Sequence, residues 1–596
     1  MASPTALNWK AVLVRLNDIA RERPRNLGKL KEQLREAPHV FCPLGVEVAI
    51  AAEDTEPIGQ ALAGLLAELR DPALALQVYK ALPGRSVTLA PVAVVATQQW
   101  LAAVSRGTLE SELDRGSLLN SLAVRLAAVG DYLPALRAAR AAIRFYRQRA
   151  RSDPDTFRPY LAMSLNTLTV RLADCGELQR ALRAAKEAAQ LTDQLARDQP
   201  GEYAVNRALA LMTLANRHSA VGNRLEALHF TRQASEHYHL LTQADARYQP
   251  DYALSLFNLA NRFTELGRHE EALGPAEEAV SHFRALEARD ERRFKERTAA
   301  AMVTLAVDRA ACNQPERAHQ VAQEAVQRFE KLHARRPFRF LPDLVTALLA
   351  LAGFQDDMEQ PLEALRTARK ALLLAGRLRQ PMGVGATRYV ALALTHVANR
   401  CLLLGRHKEG CQLAERCVRL CPTAVRKRPE LKVELVNALI HWAEALRACW
   451  ATARAIRRAA EAVRLARRMS AVDLAAVGPR LAPALGTLAN CEATQGNFAA
   501  ALRHERQRVN LSRQLCTLSA VTHEPELASG LADLATRLSD CGRREQALDS
   551  VHESLKVYDR IAARVPDAYC QERAMAMEIA ARLHSMQETP KGAVRP

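Results

Sequence analysis

The chain has 596 residues, 49% of them apolar, 25% charged and 5% aromatic; it is too long for one hydrophobic core and too apolar for general disorder. The net charge of +18 admits a nucleic-acid partner, but 70 Arg against 13 Lys, spread along the whole chain, also fits the coding bias of a GC-rich genome. Twelve cysteines over this length do not form a disulfide scaffold and no run of eighteen apolar residues marks a membrane span, so free thiols in a reducing cytoplasm are expected.

The first 106 residues follow no fixed period. The start, MASPTALNWKAVLVRLNDIARE, carries charges throughout, as an amphipathic helix does and a secretory signal does not. Apolar spacing and breakers predict helices over 7–22, 27–36, 43–53, 57–70, 72–82 and 89–106, a helical cap or a run of degenerate repeats.

From residue 107 a period of 45 or 46 residues sets in. Gly130, Gly176, Gly222, Gly267, Gly405, Gly496 and Gly542 share one phase, which Asn313, Glu359 and Trp450 fill in between. Eight residues before each of these ten positions stands a large apolar residue, Leu in eight of them. The next residue is Ala in nine and Thr169 in the other. Five residues after the turn Ala recurs, with Gly410 once. Twelve after it Ala recurs again, with Cys417, Ser554 and Arg508 as departures. Large groups beside enforced small ones are what two closely packed antiparallel helices require. Gly or Asn at the turn tolerates the left-handed backbone that ends the first helix. Glu359 and Trp450 suit that conformation poorly, so irregular turns are expected there, and Arg508 predicts loose packing in the ninth repeat. Pro in the segments between repeats, as at Asp153-Pro154, Gln199-Pro200 and Arg336-Pro337, stops one helix pair before the next. The ten repeats run over 107–568, a capping helix over 569–588, and a disordered tail is expected over 589–596.

Asn258-Leu259-Ala260-Asn261-Arg262, followed by Gly267, Glu271-Ala272-Leu273 and Ala279, resembles the tetratricopeptide-repeat signature. The unit here is longer than that family's usual one and is similar to kinesin-light-chain-like and large bacterial arrays. The resemblance implies an all-α fold, a right-handed α-solenoid of about ten antiparallel helix pairs, and a non-catalytic protein-protein interaction scaffold. Its partner would be a protein or peptide segment held on the concave face lined by the first helix of each pair. The setting implied is a bacterial signalling, regulatory or defence complex.

On that face the resemblance places Asn216, Asn261, Asn399 and Asn490, six residues before their turns, with Asn120 and Asn166 one helical turn earlier. An Asn side chain donates and accepts, and so can pair with the backbone of an extended peptide. One position further on, Arg recurs as Arg125, Arg171, Arg217, Arg262, Arg400 and Arg537. Of these, Arg217, Arg262 and Arg400 are candidates for contacts to an acidic ligand. The densest basic stretch, Arg426-Lys427-Arg428 and then Arg454, Arg457, Arg458, Arg464, Arg467 and Arg468, keeps open the alternative of a nucleic-acid-binding basic solenoid, although interleaved aromatics are missing from it. Cys401, His407, Cys411, Cys417 and Cys421 cluster without metal-site spacing. Gly383-Val384-Gly385 lacks the Lys of a phosphate loop. No catalytic, cofactor or metal residue is expected, and no membrane.

Overall fold

In the computed structural model, residues 4–22, 26–51, 56–82, 89–107, 115–335, 339–378, 386–427, 432–470, 474–564 and 569–585 are described. Arg428, Gly383-Val384-Gly385, Arg336-Pro337 and the tail at 589–596 lie outside them. Among the described residues there are 27 α-helices and no strand. The first six are α1 (Pro4–Glu22), α2 (Leu27–Glu36), α3 (Pro38–Ala51), α4 (Glu56–Leu69), α5 (Pro72–Ala81) and α6 (Ala90–Arg106). Of the expected helices here only α3 departs by more than three residues at one end. It starts at Pro38, because proline is tolerated in the first turn, and carries Pro43 within it.

The repeats follow as α7 (Arg115–Ala128), α8 (Tyr132–Ser152), α9 (Pro154–Asp174), α10 (Leu178–Asp198), α11 (Pro200–Ala220), α12 (Arg224–Ala244), α13 (Gln249–Glu265), α14 (His269–Arg289), α15 (Glu291–Ala311) and α16 (Pro315–Arg335). They continue as α17 (Leu341–Asp357), α18 (Pro361–Arg377), α19 (Thr387–Leu403), α20 (His407–Lys427), α21 (Lys432–Ala448), α22 (Thr452–Ser470), α23 (Leu474–Thr494), α24 (Phe498–Cys516), α25 (Ala520–Asp540) and α26 (Arg544–Arg564), and α27 (Cys570–Ser585) closes the series. The long period is therefore spent on long helices, many of them of 21 residues, joined by turns of a few residues. Odd-numbered helices from α7 to α25 are the first of each pair and even-numbered ones the second. The chain forms two compact units, Met1–His237 and Tyr238–Pro596, with the division inside α12.

Within each unit the enforced small residues are the packing points. Ala135, Ala181, Ala227, Ala272, Ala318, Ala364, Ala455, Ala501 and Ala547 are all fully buried. At Gly410 a Cβ would meet Leu402 Cδ2 at 3.1 Å and the Ala398 carbonyl at 3.2 Å, so even Ala is tight there. Cys417 and Ser554 fill the second small position and donate to a carbonyl of the preceding first helix, Cys417 Sγ to Ala391 at 3.5 Å and Ser554 Oγ to Ala528 at 2.7 Å. The polar atom is thereby satisfied where other repeats have only a methyl group.

Two sequence expectations are corrected. The turns at Glu359 and Trp450 are regular: φ is +58° and +60°, beside +57° at Asn313 and +70° at Gly267. The closing bonds match as well, Gln360 N to Gln355 O at 2.8 Å and Ala451 N to Leu446 O at 2.8 Å, beside Arg268 N to Phe263 O at 2.9 Å. The packing on either side imposes the backbone, and the side chain bears a strain of about 1 kcal/mol. The ninth repeat is not loose either. Arg508 is buried and fills the small-residue position because Gly486 and Gly530 leave it room. It donates to Glu505 at 2.9 Å, Glu526 at 2.8 Å and Asp533 at 2.7 Å. Burial pushes the Glu505 carboxyl up to about 7, with Arg508 opposing the shift.

The second helices are stitched from repeat to repeat at a separation of 40 residues: Arg147–Glu187 in the first unit, and Arg284–Glu324, Lys370–Glu330, Arg369–Glu409 and Arg513–Glu553 in the second. Most of these pairs are exposed and individually weak, but they account for many arginines that composition alone leaves without a role.

Candidate protein-binding face

The first helices of consecutive repeats lie side by side and form one layer in each unit. Polar bonds between neighbours show this: Asn120 Nδ2 donates to Ser164 Oγ at 2.6 Å, and Arg171 Nη1 to the Ala123 carbonyl at 3.2 Å. In the second unit Thr304 donates to Asn261 Oδ1 at 3.1 Å, Thr264 to Asp308 at 2.8 Å and Thr487 to Glu444 at 2.9 Å.

All six candidate asparagines sit half-buried on this layer. They are not equivalent. Asn120 and Asn261 bond to the adjacent first helix, whereas the Oδ1 atoms of Asn120 and Asn166 are buried without a partner among the described residues. The recurring arginines are largely engaged within the array. Arg125 lies over the Tyr79 ring at 4.5 Å, and Arg171 meets Asp174 at 3.1 Å, Arg262 meets Glu265 at 2.7 Å and Arg537 meets Asp540 at 2.8 Å. Arg400 is buried and bonds Asp356 at 2.7 Å and the His396 carbonyl at 3.0 Å. Burial lowers the pKa of Arg217 and nearby Asp174 opposes the shift, so this half-buried guanidinium is the least compensated of the three acidic-ligand candidates.

The sequence reading missed the apolar part of the face. In the first unit Val124 on α7, Met163 on α9 and Leu209 on α11 are 47%, 55% and 51% exposed. On α9 the spacing Tyr160, Met163, Thr167, Val170 keeps one stripe of the helix. Thr167 and Thr213 turn their hydroxyls back to the carbonyls of Met163 and Leu209, at 3.3 and 2.9 Å. Tyr160 is also exposed and stacks on Tyr146, with ring centroids 5.6 Å apart. Val124 fills the phase of Asn216 and Asn261, six residues before its turn, and is legible from the period; Met163 and Leu209, thirteen before theirs, are not.

The corresponding layer of the second unit is polar. Among the described residues of α13, α15, α17, α19, α21, α23 and α25, the only exposed large apolar side chain is Leu403, at the very end of α19. His441 lies 3.5 Å from Glu444. Burial pushes the Glu444 carboxyl up, but His441, Thr487 and Arg447 outweigh it and hold it below its usual range. This unit also closes on itself: Thr522 donates to the Gly267 carbonyl at 3.2 Å and Gln571 to Glu359 at 3.4 Å.

The cysteine cluster of the seventh repeat belongs to the packing. Cys401, Cys417 and Cys421 are buried, and burial raises the thiol pKa of Cys401 and Cys411. Among the described residues no group of three or more His, Cys, Asp or Glu is placed to hold a metal ion, and no helix is long and apolar enough to cross a membrane.

No protein-family profile matches the chain, and no curated protein does. Solved structures do. A putative kinesin light chain from Podospora anserina with nearly identical TPR-like repeats shares 19% identity at a TM-score of 0.30, covering 37% of this chain and all of its own. A Rap protein complexed with competence and sporulation factor shares 14% at 0.39, covering 65% of this chain and 98% of its own. Yeast Tom70 shares 13% at 0.32, covering 79% and 96%. From its own ten turns, buried alanines and stacked helix pairs, the chain is an all-α solenoid of tetratricopeptide type.

Proposed function

We propose that the chain is a non-catalytic scaffold that binds an apolar segment of a protein partner on the first-helix face of its N-terminal unit. The observation that carries this reading is the exposed strip of Val124, Met163 and Leu209. Exposed apolar side chains on a helical layer that also holds the unpartnered Oδ1 atoms of Asn120 and Asn166 mark a binding surface more often than a packing fault. Neighbouring helices lie roughly 10 Å apart, and Val124 stands two turns, ~10 Å, further along its helix than Met163 and Leu209 do on theirs, so one extended or helical segment crossing the layer obliquely can touch all three. Asn166 and Asn216 beside the strip supply backbone-directed donors and acceptors, and Arg217 supplies a cation for an acidic flank. Asn261, Asn399 and Asn490, with Arg262 and Arg400, belong to the corresponding layer of the second unit, where Asn261, Arg262 and Arg400 bond within the array. Service in a bacterial signalling, regulatory or defence complex, in the cytoplasm, rests on the family resemblance of the sequence.

A photo-crosslinking residue at position 209, compared with one at Arg183 on α10, tests this in cells. Capture of the same partner at position 209 and not at 183, abolished by Met163→Asp, is the expected result. Equal capture at both positions, or capture that survives Met163→Asp, removes the strip as the binding surface.

A further inference from the structure

The outer ladder of ion pairs changes character in repeats eight and nine. Helix α22 carries six Arg and one Glu, and α24 four Arg and one Glu, whereas α14 carries two Arg and five Glu. The 40-residue partner of Arg467 is Gln507, at 2.6 Å, and that of Arg506 is Gln546, at 3.2 Å, so neutral amides stand where acids stand elsewhere. Glu461 is taken by Arg458 at 2.8 Å, and the Arg458 guanidinium lies over the Trp442 ring at 4.4 Å. Arg454, Arg457, Arg464 and Arg468 are exposed, and their side chains have no hydrogen bond or ion pair among the described residues. Their spacing keeps them along one side of α22, a line of ~21 Å at 1.5 Å per residue. Arg503 and Arg506 stand on α24, roughly 10 Å to the side.

The basic stretch reads as lacking interleaved aromatics, but the fold corrects this: rings stand at the head of both helices. Trp450, two residues before α22, is 85% exposed at a left-handed turn where seven of the ten repeats have Gly. Phe498 opens α24 and is 42% exposed. Strain and exposure both count against Trp450 in the isolated chain, and its own repeat gains no burial in return. An open hollow of ≈ 570 Å³ lined by Arg406, His407, Lys408, Glu409 and Cys449 lies at the neighbouring turn.

We infer that this outer face binds single-stranded nucleic acid, with phosphates on the α22 arginines and bases stacked on Trp450 and Phe498. Guanidinium forks match phosphate oxygens, and every base has a π-face for a ring to stack on. The layout separates this partner from a membrane. A bilayer touched by the rings at the helix heads would meet Arg454, with Arg457 at the edge of the ~8–10 Å screening length and Arg464 and Arg468 beyond it. A flexible polyanion can leave the ring and follow the arginines.

The test is fluorescence anisotropy of a labelled 20-nucleotide oligo-dT and oligo-U with the full chain, from 50 to 200 mM salt. The fourfold variant Arg454→Gln/Arg457→Gln/Arg464→Gln/Arg468→Gln should lower affinity at least about tenfold at 50 mM salt and flatten the log–log salt slope by about three, at ~0.7 per lost phosphate contact. Trp450→Ala should cost about five- to tenfold with the slope unchanged, as for loss of one stacked base. Unaltered thermal melting of both variants shows that they are folded. The inference fails if the wild type binds neither oligonucleotide at 50 mM salt or if Trp450→Ala binds as the wild type does. It also fails if polyglutamate of equal length displaces the strand at equal charge, which assigns the face to an acidic protein. Binding to phosphatidylserine vesicles that depends on Trp450 while oligonucleotides stay unbound assigns it to a membrane.

Discussion

The first-helix layers of the two units occupy the same positions in the repeat yet present opposite surfaces. In the N-terminal unit the layer exposes Val124, Met163 and Leu209. In the C-terminal unit it is laced by Thr304–Asn261, Thr264–Asp308, Arg400–Asp356 and Thr487–Glu444 bonds, and the unit closes through Thr522 and Gly267. A repeat period dictates which residues must be small, and leaves free what the outward positions carry. One scaffold can thus hold exposed apolar side chains in one stretch and a bonded polar lining in another.

The sharpest way to break this contrast is to unsettle the core beneath the polar lining of the C-terminal unit alone. Arg508→Ala leaves Glu505 buried without its cation beside Glu526 and Asp533. Breaking a buried ion pair from one side costs about 3–5 kcal/mol. Array stability is largely a sum over neighbouring repeats, so the loss should stay local. Hydrogen exchange should rise steeply in α23, α24 and α25 and stay unchanged in α7, α9 and α11. Equal acceleration in both units would show that they unfold as one and that the contrast has no energetic counterpart. Arg508→Met, which removes the charge and keeps volume, leaves the same acids unpaired and should recover little.

Acid provides a graded probe of the polar lining itself, at His396 on α19. Burial holds the His396 pKa down, to about 4, and Arg400 and His441 push the same way. Arg400 Nη1 donates to His396 Nδ1 at 3.2 Å, so the ring accepts there and is neutral. A pKa depressed in the folded state means that the fold resists protonation. The stability His396 contributes is fully present above the ordinary value near 6.5 and is lost as pH falls from there towards 4. The full loss is about 3 kcal/mol at ~1.4 kcal/mol per pKa unit. Asp356 and Asp357, whose pKa values burial raises, partly offset it on acidification. Denaturant melts between pH 7 and 4.5 should therefore show a smaller decline for His396→Asn than for the wild type. An identical decline would place the acid sensitivity elsewhere.

What the sequence made legible follows from the same physics. The alanines recur because two backbones must approach closely, and nothing else fits, so they could be read without a structure. The turn at Glu359 could not, since the packed helices on both sides override the residue's preference. Arg508 looked like a defect because its three carboxylates lie up to 25 residues away and its space comes from Gly486 and Gly530, on different helices. The sequence puts all six asparagines on one face without telling them apart. Which of them faces a neighbour, as Asn261 faces Thr304, depends on the offset between adjacent helices, and a period does not encode that offset. Met163 and Leu209 passed for ordinary helix residues, because an apolar side chain reads as core until its exposure is known.

The smallest expected effect bears on the outer face. At Trp450 the left-handed backbone, φ +60°, is one that Gly adopts without penalty. Trp450→Gly should therefore stabilise the C-terminal unit by about 1 kcal/mol in denaturant melts, since the exposed ring gives up almost no packing. Glu359→Gly, at the matching turn with φ +58°, is the control for backbone strain alone, apart from the Gln571 contact it removes. If both variants gain stability and only Trp450→Gly weakens oligonucleotide binding, the strain at Trp450 is held for contact with a ligand. A loss of stability at Trp450→Gly would mean that the ring packs on the array after all, and its exposure would then carry no functional meaning.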